Sequence, residues 1–198
     1  TGVRCPRPGN ARATDETNPM NHPLIFRSGA DVLAALGQRL GPGEWLTVDQ
    51  GRINAFARAT DDFQWIHVDA TRAASGPFGS TIAHGFLSLS LVAPMLGALL
   101  RFEHLAMSLN YGCEKVRFPA PVPVGSRLRA SAELIKAERI AADPDTVQAT
   151  FRVIIEIGGA VKPACVADSV SRWYFDPGIK GQGGIAGPGI AEAGITEA

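Results

Sequence analysis

From Ile82 to Leu100 the chain has no acidic side chain, no lysine and no arginine, and aliphatic residues dominate the stretch. A run of that length is either a membrane span or a helix sheathed by the rest of a globular fold. His84, Ser88, Ser90 and Pro94 interrupt it, and long amphipathic strand patterns follow, so a buried core helix is the better reading. The expected helix covers about 83–100, with Pro94 kinking it or removing one of its hydrogen bonds.

Four strand candidates come after it. The first is 105–118, with Gly112 as a possible bulge. Pro119, Pro121 and Pro123 enforce an extended connector and Gly125 turns the chain. In 127–138, Leu128, Ala130, Ala132 and Leu134 alternate with Arg127, Arg129, Ser131 and Glu133. Asp143-Pro144-Asp145 marks a turn, and 146–157 puts Val147, Ala149, Phe151, Val153, Ile155 and Ile157 on one face. Gly158-Gly159 then turns the chain into a last strand over 161–174.

Upstream of the apolar run, Ser28-Gly29-Ala30-Asp31 resembles a capping box, with Val32, Leu33, Leu36 and Leu40 at helical spacing and Gly41-Pro42-Gly43 as a stop. Residues 45–48 read as a short strand. Asp49 caps a second helix that presents Ile53, Phe56 and Ala57 and runs out near Thr60, leaving Asp62 just past its end. The loop 63–80 is long, and its Trp65, Ile66, Val68 and Phe78 mark it as packed rather than loose. An antiparallel meander with one apolar face needs a cover, and the apolar helix supplies it. The fold class is therefore α+β: a single hot-dog domain over 23–175, a curved antiparallel sheet wrapped around a central helix, flanked by disordered tails at 1–22 and 176–198.

Lysine plus arginine equals aspartate plus glutamate at 19 each in 198 residues, so the basic surplus of a nucleic-acid binder is missing. Cys5, Cys113 and Cys165 have no metal-ligand spacing, and an odd number without a framework points to reduced thiols in a cytoplasmic protein. The polar start has no apolar core of a secretory leader.

Taken alone, Asp62 reads as a solvated residue after a helix and His67, five positions on, as a loop histidine. Their context changes that. Asp61-Asp62-Phe63-Gln64-Trp65-Ile66-His67, a turn-rich loop, and then Ala83-His84-Gly85 opening the apolar helix resemble the hydratase motif of the MaoC-like, (R)-specific enoyl-CoA hydratases. That pattern runs Gly-Asp-x-Asn-Pro-x-His, a loop, and Ala/Val-His-Gly. The wording Gln64 to Asp69, with Asn110-Tyr111-Gly112 and Lys115 to Val122, is similar to short single-domain mycobacterial members, and the resemblance covers about 24–174. Asp61 stands where the family has Gly, Gln64 where it has Asn, Trp65 where it has Pro, and Ala93 where many members carry a Ser that helps position water.

The resemblance implies reversible syn addition of water to a trans-2-enoyl-CoA, giving an (R)-3-hydroxyacyl-CoA in fatty acid metabolism. Asp62 and His67 would share the acid–base work. Gly85, in a first helical turn whose amides lack intrahelical partners, would offer its N–H to the thioester oxygen, glycine letting the substrate come close. Trp65, Asn110 and Tyr111 are possible substrate-lining residues, although core or interface roles fit Asn110 and Tyr111 as well. His84 reads as a capping or packing residue and Asp69 as a turn residue or cap. Lys115, Arg117 and Lys162 fit either the coenzyme A phosphates or a solvated sheet edge. No cofactor, metal, nucleic acid or membrane span is expected; the partners are an acyl-CoA thioester and a second copy in an edge-to-edge homodimer. The competing readings are a hot-dog acyl-CoA thioesterase, with a carboxylate activating water against the carbonyl, and a non-catalytic acyl-binding protein.

Overall fold

A computed structural model describes residues 23–140 and 145–179. The expected tails at 1–22 and from 180 on, Cys5, and Asp143-Pro144 of the expected turn lie outside the described residues.

The elements run β1 (Leu24–Phe26), α1 (Gly29–Ala34), β2 (Arg39–Leu40), β3 (Leu46–Val48), α2 (Gln50–Thr60), α3 (Trp65–Val68), α4 (Ala70–Ala74), α5 (Gly85–Ser90), α6 (Val92–Ala98), β4 (Leu100–Phe102), β5 (Leu105–Arg117), β6 (Ser126–Arg139), β7 (Thr146–Ile157) and β8 (Cys165–Phe175). Side-chain oxygens start three of the helices. Ser28 accepts from the Asp31 N–H, Asp49 from Arg52 and Asp69 from Arg72.

The main sheet has the order β2-β6-β7-β8-β5, with β3 also on β6. Strands β6, β7 and β8 form the expected meander. Strand β5 does not begin it: it pairs with β8, antiparallel, Cys113 opposite Ser169. The proline connector therefore carries the chain across the sheet rather than into a neighbouring hairpin. Register slips at Asn110/Gly112, which places the Gly112 irregularity where the sequence put it. The alternating residues of β6 and β7 face inward and are buried. With Phe26, Phe102, Trp173, Ile53 and the helix residues Leu87, Leu91, Val92, Met95 and Leu96 they form one core.

Four local expectations need correcting. The first helix stops at Ala34; Leu36 is exposed, and Leu40 lies in β2 opposite Ala132 because the sheet edge offers it a ladder partner. The segment 63–80 is not loop throughout but holds the short helices α3 and α4. The apolar helix is two helices that meet at Leu91 and end at Ala98, after which β4 pairs in parallel with β1. Pro94 is third in α6. Its missing N–H and the ring's conflict with the Ser90 carbonyl fall at the junction, so the break comes one turn before the proline. Strand β8 starts at Cys165, and Val161 is fully exposed in the preceding turn. No helix of the described residues is long and apolar enough to cross a membrane.

Candidate active site

Helix α2 ends in Asp61, whose φ of 56° is the left-handed conformation that usually selects glycine at this position and that aspartate tolerates. This reversal turns Asp62 back toward the body, and the Asp62 carboxylate accepts from the Gln64 N–H at 3.4 Å. Gln64 and Trp65 are N-cap and first residue of α3, the places where asparagine and proline serve best. Gln64 makes no side-chain cap, and Trp65 instead packs against Gly76 and under the Arg72 guanidinium, 4.3 Å from the ring centre. Trp65 thus fastens α3 to α4.

One turn of α3 delivers His67, which is 6% exposed. Its Nδ1 lies 2.7 Å from the Ile82 carbonyl. A carbonyl only accepts, so Nδ1 carries the proton and Nε2 of the neutral ring holds a free lone pair. Burial pushes the His67 imidazole below its ordinary 6.5; the Ile82 hydrogen bond opposes this, the charge of His84 adds to it and that of Asp62 opposes it. His67 is therefore a neutral base at neutral pH.

His84 sits immediately before α5. Its side chain does not cap the helix. The ring instead stacks on His67, centroids 3.7 Å apart and planes 24° apart, with Phe56 of α2 5.0 Å away. Its Nε2 donates to the Asp62 backbone carbonyl at 3.0 Å and stands 4.0 Å from Asp62 Oδ2. Donor atoms of Asp62, His67 and His84 all fall within 4.8 Å of one another. That spacing suits a cation, but the ring geometry does not. Planes so far apart and so nearly parallel do not meet within a metal–nitrogen bond of about 2.0–2.1 Å, so the two lone pairs do not converge. The arrangement suits proton transfer.

Gly85 opens α5, so its N–H has no partner within the helix. A Cβ on Gly85 would lie 2.9 Å from the Phe118 ring. Phe118 thus fills the side on which a residue other than glycine would carry its Cβ.

Of the other candidates, Asn110 lines a cavity of about 360 Å³ between α5–α6 and β5, together with Leu89, Val92, Ala93 and Ser169. Tyr111 is exposed and lies against the Arg172 guanidinium, 3.4 Å from the ring centre. Lys115 reaches the buried Asp168 at 3.8 Å, beside the bidentate Arg152–Asp168 pair. Arg117 donates to the Val116 carbonyl, and Lys162 lines a separate surface hollow with Trp45 and Arg129. Cys165 is buried, and burial pushes its thiol up to about 11, with the charge of Cys113 adding to the rise, as fits a packing role.

Sequence reasoning missed Gln50. The first residue of α2, it donates to the His67 carbonyl at 2.8 Å and accepts from Thr81 Oγ at 2.5 Å, one residue before the Ile82 carbonyl that holds the imidazole. A glutamine after a cap gives no signal of this; only the folding-back of α3 creates the contact.

Residues 31–156 match the model of the MaoC-like domain. The chain is 49% identical over 148 residues to 3-hydroxyacyl-thioester dehydratase Z of Mycobacterium tuberculosis, covering 75% of this chain and 97% of that one. It is 30% identical over 131 residues to the (R)-specific enoyl-CoA hydratase of Aeromonas caviae, covering 65% and 84%. An unliganded R-hydratase of Pseudomonas aeruginosa shares the fold at a TM-score of 0.57 and 23% identity, over 75% of this chain and 86% of that one. The protein belongs to the MaoC-like dehydratase family, a hot-dog fold with hydratase and dehydratase members.

Proposed function

We propose that the protein is an (R)-specific enoyl-CoA hydratase, adding water reversibly to a trans-2-enoyl-CoA to give the (R)-3-hydroxyacyl-CoA, with Asp62 and His67 as its catalytic residues. The observation that carries this reading is the neutral His67, its Nδ1 fixed on the Ile82 carbonyl and its Nε2 free to accept, within the Asp62–His67–His84 cluster. The (R) configuration and the CoA thioester rest on the likeness to the Aeromonas relative.

A carboxylate and a neutral imidazole hold no spare acidic proton between them. The proton that reaches C2 is then the one taken from water. His67 Nε2 accepts it as the water oxygen bonds to C3, and Asp62 orients the water and stabilises the imidazolium. Charge builds on the thioester oxygen, where the Gly85 N–H and the start of α5 favour it. The imidazolium returns the proton to C2 on the same face, which makes the addition syn and leaves the enzyme unchanged.

The acyl chain runs along the central helix in this reading. Leu89 and Val92–Ala93 lie four to eight residues past Gly85, about 6–12 Å along the axis, and the cavity they share with Asn110 is the seat on offer. A homodimer is proposed with it, joined along β5.

The test is crotonyl-CoA. Absorbance of its conjugated double bond should fall without release of free thiol; thiol release would instead mark a thioesterase. Asp62→Asn and His67→Gln should each lower turnover by at least about 10² with the fold intact by circular dichroism. Parent-rate hydration by both variants would remove these residues from the chemistry.

A further inference from the structure

We propose that His84 is the positioning residue of this site, holding Asp62 by its backbone and His67 by its ring face. This rests on the hydratase reading of Asp62 and His67 but concerns a group that reading leaves without a task.

His84 is 3% exposed and touches both proposed catalytic residues by different means. To Asp62 the contact is a hydrogen bond, Nε2 to the backbone carbonyl at 3.0 Å. The carbonyl can only accept, so the proton is on Nε2. To His67 the contact is a stack at 3.7 Å. Asp62 lies past the end of α2 on an exposed turn, its side chain 54% accessible, and a bond to its main chain limits where the carboxylate can swing. The His67 ring is pinned in its plane by Ile82 and from its face by His84.

The other nitrogen of His84 argues against a packing role alone. Nδ1 is buried and has no hydrogen-bond partner. A phenyl ring would fill the same space against Phe56 and His67 without burying an acceptor that no protein group meets. What a phenyl ring cannot do is donate to the Asp62 carbonyl. The unpaired Nδ1 is the cost of having Nε2–H at that point. The titratable groups that meet the ring are Asp62, from the end of α2, and His67, from α3.

Two variants and one measurement on the unaltered protein test this. Long-range ¹H–¹⁵N spectra of the intact protein report the tautomer directly. His84 should be protonated on Nε2 and bare on Nδ1 at neutral pH; the opposite tautomer overturns the proposal whether or not any variant folds. His84→Phe keeps the stack and loses the donor, so kcat for crotonyl-CoA should fall about 10- to 100-fold with KM within about twofold, the size expected when a reacting group is misplaced by up to ~1 Å. In the same variant the His67 titration should move upward, since the His84 ring no longer opposes its protonation. His84→Gln, which keeps an N–H for the carbonyl, should recover part of the kcat lost in His84→Phe. Wild-type kcat in a folded His84→Phe, or no recovery in a folded His84→Gln, overturns the proposal. If the wild-type protein leaves crotonyl-CoA untouched, the hydratase reading fails, while the tautomer and the His67 titration still decide the role of His84.

Discussion

At the scale of single residues, the proposed chemistry depends on the protonation of one imidazole. Desolvation, the largest influence on His67, favours the neutral ring, and the Ile82 carbonyl decides which nitrogen keeps the proton. The pH dependence follows in sign. Neutral His67 is the working form in the proposed chemistry, and its titration lies below the ordinary 6.5, so kcat/KM should be level above about pH 6.5 and fall only beneath it. An acid limb above 6.5 would contradict this. Stability shares the direction: the unfolded chain binds the extra proton first as pH falls below 6.5, so the fold weakens through that window. Gly85 is a second single-residue device. Gly85→Ala drives a methyl group toward the Phe118 ring, which is 40% exposed and can yield only in part. A loss of about 1–3 kcal/mol is expected by thermal melting, most of it restored when Phe118→Ala is added.

Elements act here as brackets for short functional segments. Helix α3 is one turn long and could not hold itself in water. It is held from outside by Gln50, whose amide bridges the His67 carbonyl and the Thr81 hydroxyl, and by Trp65 against α4. Gln50→Ala removes both bonds and leaves the buried Thr81 hydroxyl short of its acceptor. It should cost about 1–3 kcal/mol in denaturant unfolding and lower kcat more than it raises KM, because His67 loses its register against Ile82. Unchanged kcat would show that α3 is held by other contacts. The α5–α6 pair breaks at Leu91, so that α5 packs on β8 while α6 packs on β6 and β7.

For the whole molecule, the sheet order decides what is left uncovered. Because β5 pairs only with β8 among the described strands, its other edge is open along thirteen residues, and Met107, Leu109 and Tyr111 are exposed on it. An edge that long and apolar invites a second sheet. Light scattering should give twice the chain mass at micromolar concentration. Leu109→Lys should shift the population toward monomer, since a buried unpaired charge opposes strand pairing. A wild-type monomer would dismiss the proposed dimer.

The periodicities alone settled a good deal. Alternation in β6 and β7, the uncharged run and the caps at Ser28, Asp49 and Asp69 are local patterns, and local patterns dictate which face of an element seeks the interior. Asp62, His67 and Gly85 stood out only through the resemblance of their motif to a known family; taken alone, Asp62 and His67 read as ordinary turn and loop residues. Pairing of β5 with β8 was not legible, because neighbours in a sheet are chosen by closure of the whole core and not by adjacency in sequence. Nor were the His84 stack, the Gln50 bridge or the filling of the Gly85 side by Phe118. Each joins residues 17 or more positions apart, and such contacts exist only once tertiary packing has brought separate elements within a few ångströms of each other.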